Sequence, residues 1–81
     1  MLYAVYECEH CKNRIAIKTT ENEIRKTKHF RNISKSLAVK IQWCEYCKLP
    51  EFFNYVGYWH SLQEDGIIYT PTKPARIIRD Y

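Results

Sequence analysis

CEHC at residues 8–11 and CEYC at residues 44–47 are the two tetrapeptides that decide how this chain folds. They hold every cysteine of the 81-residue sequence: Cys8, Cys11, Cys44 and Cys47. Each Cys-x-x-Cys turn offers two thiolates, and two such turns fill the four positions of a tetrahedral metal site, for which zinc is the usual occupant. A catalytic zinc keeps one position open to water. Here protein takes all four, so the expected cofactor is one structural zinc ion.

Two other uses of the cysteines compete with this reading. Redox dithiols of the thioredoxin type follow a strand and open a helix in a βαβ setting, which neither pair has. A disulfide framework, with its three possible connectivities, needs an oxidising compartment. The histidines are read as non-ligands. His10 occupies an intervening position of the first turn, and His29 and His60 lack a ligand partner at helical or turn spacing.

Eighty-one residues make one domain with a marginal core, since a chain of this size buries only about 60% of its unfolded surface. A structural zinc would make good that shortfall, contributing roughly 10–16 kcal/mol of apparent binding free energy to folding. The opening MLYAVYECEHC has no basic leader followed by an apolar run, so no signal peptide is expected. No apolar stretch approaches the roughly 20 residues of a membrane span. The expectation is a cytoplasmic chain in a reducing compartment, with no membrane partner.

Charge is unevenly spread. The formal net charge is +4, which falls to about +2 once four thiolates and a zinc ion are counted. Nine basic residues lie between Lys12 and Lys40, opposed only by Glu21 and Glu23, so that segment carries +7 and the rest of the chain −3.

Along the chain, residues 2–7 (LYAVYE) and 14–19 (RIAIKT) are rich in β-formers and flank the first turn as the arms of a hairpin. Thr20-x-x-Glu23 has the spacing of a capping box and predicts a helix start. Phe30, Ile33 and Leu37 then offer an apolar edge at i, i+3 and i+7, while Asn32, Ser34 and Ser36 favour a break before Leu37. Residues 36–43 (SLAVKIQW) alternate, predicting a strand with Leu37, Val39, Ile41 and Trp43 on one face. It leads into the second turn, and residues 53–59 (FNYVGYW) read as the return strand, with a bulge or close approach at Gly57. After the Glu64-Asp65-Gly66 turn come a short strand at residues 67–70 and a tail, ARIIR, that pairs as an edge strand or stays loose.

Two strand–CxxC–strand units sharing a metal resemble the zinc-ribbon class, including rubredoxin-like modules. The resemblance covers roughly residues 2–19 and 37–59 and rests on Cys8, Cys11, Cys44 and Cys47. It implies a small β-rich, metal-stabilised domain spanning residues 1–81. A first knuckle hairpin takes residues 2–19, a basic insert with a helix signal 20–36, a second hairpin 37–59 and a C-terminal β extension 60–81. Many ribbons carry Pro after the first cysteine and Gly after the second. Here Glu9 and Glu45 stand at the first of these places, and Lys12 and Lys48 at the second. That departure speaks against an iron-bearing electron carrier held by the same thiolates.

The class is functionally diverse, so function is argued from the remaining residues. No nucleophile–base arrangement has recognisable spacing, and there is no Gly-rich phosphate loop. A non-catalytic module with no evident small-molecule substrate is therefore expected. The basic insert predicts contact with nucleic acid, or with a protein of the transcription or replication machinery, through Arg25, Lys26, Lys28, Arg31 and Lys35, with Arg76 and Arg79 extending the patch. Exposed members of the run Phe52, Phe53, Tyr55, Tyr58 and Trp59 are candidate base-stacking residues, although a small domain needs large side chains for its core. The alternative is a small inhibitor or adaptor of phage or virus type that docks on protein without touching nucleic acid.

Overall fold

The computed structural model describes residues 1–34 and 38–78. Lys35, Arg79, and the Ser36 and Leu37 of the predicted third strand lie outside the described residues.

Six strands form one sheet. In chain order they are β1 (Leu2–Cys8), β2 (Arg14–Lys18), β3 (Val39–Cys44), β4 (Leu49–His60), β5 (Ile67–Tyr69) and β6 (Pro74–Ile78), with helix α1 (Glu21–Ile33) between β2 and β3. The order across the sheet is β3-β4-β1-β2-β6-β5. β1 pairs antiparallel with both β2 and β4, and β3 pairs antiparallel with β4. The two CxxC hairpins thus lie side by side, joined by the β1–β4 ladder. β1 and β3 run in the same direction, so both deliver their terminal cysteine to the same end of the sheet.

Alternation along β1 sends side chains to two separate cores. Ala4, Tyr6 and Cys8 join Ile15, Ile17, Ile24, Ala38, Cys44, Phe53 and Tyr55. Tyr3 and Val5 join Ala16, Ile68, Ala75 and Ile77 on the opposite face. The second core is tied to the chain's later segments by hydrogen bonds. The Tyr3 hydroxyl donates to the Gln63 carbonyl at 2.5 Å, and the Ile77 N–H donates to the Gly66 carbonyl at 2.9 Å. Gly66 holds φ +82°, a conformation that glycine adopts without steric cost. Arg14 donates from Nε to Glu7 at 2.9 Å and from its guanidinium to the Thr70 carbonyl, fastening β2 to the turn before β6.

Three features differ from the sequence expectations. The alternating face of β3 points to solvent: Ile41 is 70% exposed, and its cross-strand partner Phe52 is 54% exposed. The covered face is the alternate one, with Cys44 buried at the strand's end and Ala38 buried just before its start, while Val39 is half-buried and Trp43 exposed. The expected apolar edge of α1 is also open, with Phe30 and Ile33 exposed and Ile24 the buried residue of the helix. Finally, β6 is not an edge strand. It lies between β2, to which it is parallel, and β5, which is antiparallel to it and forms the edge. The register of β1 on β4 shifts between Val5 and Tyr6, leaving Val56 as an extra residue beside Gly57. Among the described residues no helix is long and apolar enough to cross a membrane.

Adjacent phenylalanines report which face is core. Phe53 is 1% exposed and pairs with Cys8 on one side and Lys40 on the other. Phe53→Ala should cost about 3–5 kcal/mol in chemical denaturation, and Phe52→Ala under about 1 kcal/mol. Equal losses would show that the faces of β4 are assigned the wrong way round.

Candidate metal centre

Each knuckle is built in the same way. The first cysteine ends a strand: Cys8 closes β1 and Cys44 closes β3. The chain then turns, and the N–H four residues on returns to that cysteine's carbonyl, Lys12 to Cys8 at 3.0 Å and Lys48 to Cys44 at 2.8 Å. Lys12 and Lys48 hold φ of 67° and 60°. These are the positions at which many zinc ribbons carry glycine, and lysine adopts the left-handed conformation there at a cost of roughly 1–2 kcal/mol. The backbone thus makes the knuckle turn without the glycine.

The four cysteines converge although the two pairs lie more than thirty residues apart. Their Sγ atoms all fall within 4.8 Å of one another, with Cys8 and Cys44 buried and Cys11 and Cys47 half-buried. Between the knuckles, Cys11 Sγ lies 3.5 Å from Cys44 Sγ, and Cys8 Sγ lies 4.0 Å from Cys47 Sγ. Four sulfurs at tetrahedral corners, each about 2.3 Å from a central ion, stand about 3.8 Å apart. The two distances bracket that value, so the donor set fits a tetrahedral ion in both chemistry and size.

Electrostatics argues for the same conclusion. Burial opposes charge on Cys11, but the Asn13 backbone N–H and its side-chain amide, which donates to Sγ at 3.2 Å, outweigh it and bring the thiol down to about 6. Burial and the neighbouring sulfurs push Cys47 up, and burial pushes Cys8 up. Four thiols this close cannot all ionise by themselves: the first thiolate makes each later one harder. A divalent cation removes that penalty and drives off the remaining protons.

His10 lies in the first turn and is exposed. Among the described residues the metal-competent group consists of the four cysteines alone. Phe53 and the Cys8 and Cys44 thiols share one core, so packing holds these sulfurs in place.

The expected partner residues separate in the fold. Arg25, Lys26, Lys28 and Arg31 all lie on α1 and are exposed. Lys26 reaches Glu23 at 3.8 Å, and the Lys28 ammonium sits 4.5 Å from the centre of the Tyr58 ring. Arg31 lines a groove with Phe52 and Asn54. Arg76 leaves the patch altogether and pairs with Glu45 of the second knuckle. Of the aromatic run, Phe53 and Tyr55 are core, whereas Phe52, Tyr58 and Trp59 are exposed. The groove is a site that sequence reading did not find. Its members come from the first CxxC turn, α1, the start of β3 and β4, and no local spacing connects them.

No protein-family model, curated protein or solved structure matches this chain.

Replacing one ligand should remove the centre. Cys44→Ser is expected to abolish stoichiometric metal content and cooperative unfolding together, as followed by metal analysis and thermal denaturation. A variant that melts cooperatively near the wild-type temperature would show that the centre does not hold the fold. Lys12→Gly and Lys48→Gly should each raise stability by about 0.5–1 kcal/mol, since backbone strain is relieved and part of the gain is returned as unfolded-chain entropy. A lower denaturation midpoint would mean that the lysine side chains contribute more than the strain costs.

Proposed function

We propose that this chain is a non-catalytic, zinc-ribbon-like module that binds nucleic acid, its zinc serving to hold two hairpins and the elements mounted on them. When bound, zinc supplies folding free energy and charge neutralisation, and the four thiolates leave it no open position for water. Such a centre needs reduced thiols, which suits an intracellular setting. With the cysteines committed to metal, no activated nucleophile is left to carry a reaction.

One observation carries the binding reading. Helix α1 is thirteen residues long and Ile24 is its one buried residue. A helix of that length is marginal by itself, and most helical stability in proteins comes from a packed apolar face. So little burial says that its surface is kept for something other than the core. That surface carries four cations, with two carboxylates confined to the first turn. Among the described residues neither Arg25 nor Arg31 takes part in an ion pair. A phosphate backbone is the partner such a surface fits, because neutralising each phosphate releases a counterion.

A second reading has its own support. Phe30 and Ile33 on α1, and Ile41, Trp43 and Phe52 on the β3–β4 hairpin, are large apolar side chains open to solvent. Exposed apolar patches of this kind mark protein interfaces. Under this reading the chain is a small regulator, inhibitor or adaptor that docks on a protein of the transcription or replication machinery.

Salt separates the two. If about four phosphates of a single strand are neutralised, affinity should fall about 50-fold between roughly 50 and 200 mM salt. Arg25→Glu with Lys26→Glu should weaken binding further while leaving metal content and melting unchanged. Absence of any oligonucleotide binding at the lower salt would reject the nucleic-acid reading and leave protein docking.

A further inference from the structure

Where α1 ends and β3 begins, the surface folds into a groove of about 630 Å³. Arg31, Val39, Phe52, Asn54 and Val56 line it, and Glu9 of the first knuckle lies along it as well. Its volume falls within the roughly 300–1,000 Å³ of small-ligand sites. We propose that this groove holds one unpaired nucleotide of a single-stranded nucleic acid, with the base against Phe52 and the phosphate on Arg31. The proposal rests on the nucleic-acid reading above and names where and in what form the strand is held.

Four features of the groove match the parts of a nucleotide. The Phe52 ring is more than half exposed although its neighbour Phe53 is core. It stands opposite Ile41 on the β3–β4 ladder, which extends the apolar surface beside it. A flat, open, aromatic surface is what an unstacked base needs, and every base has a face to offer it. Asn54, half-buried in the same wall, carries both a donor and an acceptor for a base edge. Arg31 supplies the charge. It forms no ion pair among the described residues, and its planar guanidinium suits bidentate contact with phosphate. Glu9 is exposed and repels a phosphate, so the anionic end of the ligand is directed towards Arg31.

Beneath the groove lies an unexplained group. Tyr55 lines it from the core side, and its hydroxyl is buried with no hydrogen-bond partner among the described residues. Buried polar atoms are nearly always paired, with protein, water or ligand. Tyr55 belongs to the core with Phe53, on the face of β4 opposite Phe52 and Asn54, so it is no contact for a base stacked on Phe52.

The groove also discriminates among nucleic acids. In a duplex each base is stacked on its neighbours and cannot reach Phe52 without being flipped out at an energetic cost. Unpaired strands present their bases freely. An acidic peptide would satisfy Arg31 but leave the exposed ring without a stacking partner, so charge alone does not account for the site.

The test is fluorescence anisotropy of the metal-loaded full chain with labelled oligo(dT) and oligo(rU) of about ten nucleotides, a length within the site sizes of single-strand binders. Phe52→Ala should weaken binding roughly ten- to a hundredfold, the range that loss of one stacked base implies. Phe52→Trp should restore it, which a merely structural role would not. Arg31→Gln should weaken binding and reduce the salt slope by about 0.7, one phosphate's share for a single strand. Tyr69→Ala, an exposed aromatic on the far edge strand, should leave affinity unchanged. If oligonucleotides bind but Phe52→Ala binds like wild type, the groove is not the site, while the nucleic-acid reading stands. If a duplex of equal length binds as tightly, or poly-glutamate competes as well as oligo(dT), the single-strand assignment is wrong. If no oligonucleotide binds at low salt, both readings fall together.

Discussion

Four sulfurs within 4.8 Å of one another are the constraint on which the rest of this small protein depends. They come from two turns widely separated in the chain, and they are brought together because β1 and β3 run the same way on either side of β4. Without a cation the cluster opposes itself: one thiol ionises readily, and its neighbours are held back by the charge that results. With a divalent ion the same repulsion becomes four bonds. A fold of this size has little core to spare, and four such bonds would supply a large part of its stability.

The knuckles show how a geometry can be kept when the residue usually used for it is absent. Lys12 and Lys48 occupy positive φ in both turns, and in both the N–H returns to the carbonyl of the first cysteine. The turn is set by these hydrogen bonds and by convergence on a common centre. The strain at each lysine is tolerated because the surrounding contacts over-determine it.

What the sheet does not bury is as informative as what it does. The face shared by Cys8, Cys44, Phe53 and Tyr55 is closed by Ile24 of α1, and the opposite face is closed around Tyr3 and Ala16. Beyond these two cores stand Ile41, Trp43 and Phe52 on the outer hairpin, Phe30 and Ile33 on the helix, and Arg25 and Arg31, which form no ion pair among the described residues. Among the described residues thirteen large hydrophobic side chains are exposed, these five among them. The groove between Arg31 and Phe52 is where the charged and apolar parts of that surface meet.

Local patterns foretold much of the molecule. The CxxC spacing identified the four cysteines that come together, β-former content and alternation placed residues 2–7 and 14–19 in strands, and Thr20 accepts from the Glu23 N–H as a capping residue should. These are short-range properties, decided by covalent spacing and by turn chemistry over a few residues. Tertiary structure alone decided which faces are covered. Alternation in β3 says that Val39, Ile41 and Trp43 share a side, but whether that side meets a core or water depends on what packs on it, and the covered side is the one that Ala38 and Cys44 share. The apolar edge expected of α1 at Phe30 and Ile33 is open as well, and the helix buries Ile24 instead. The parallel pairing of β6 with β2, and the groove that Arg31 and Phe52 both line, join residues that no local spacing relates. Sequence periodicity encodes the side of an element on which a residue lies. Only the packing of distant segments determines what that side faces.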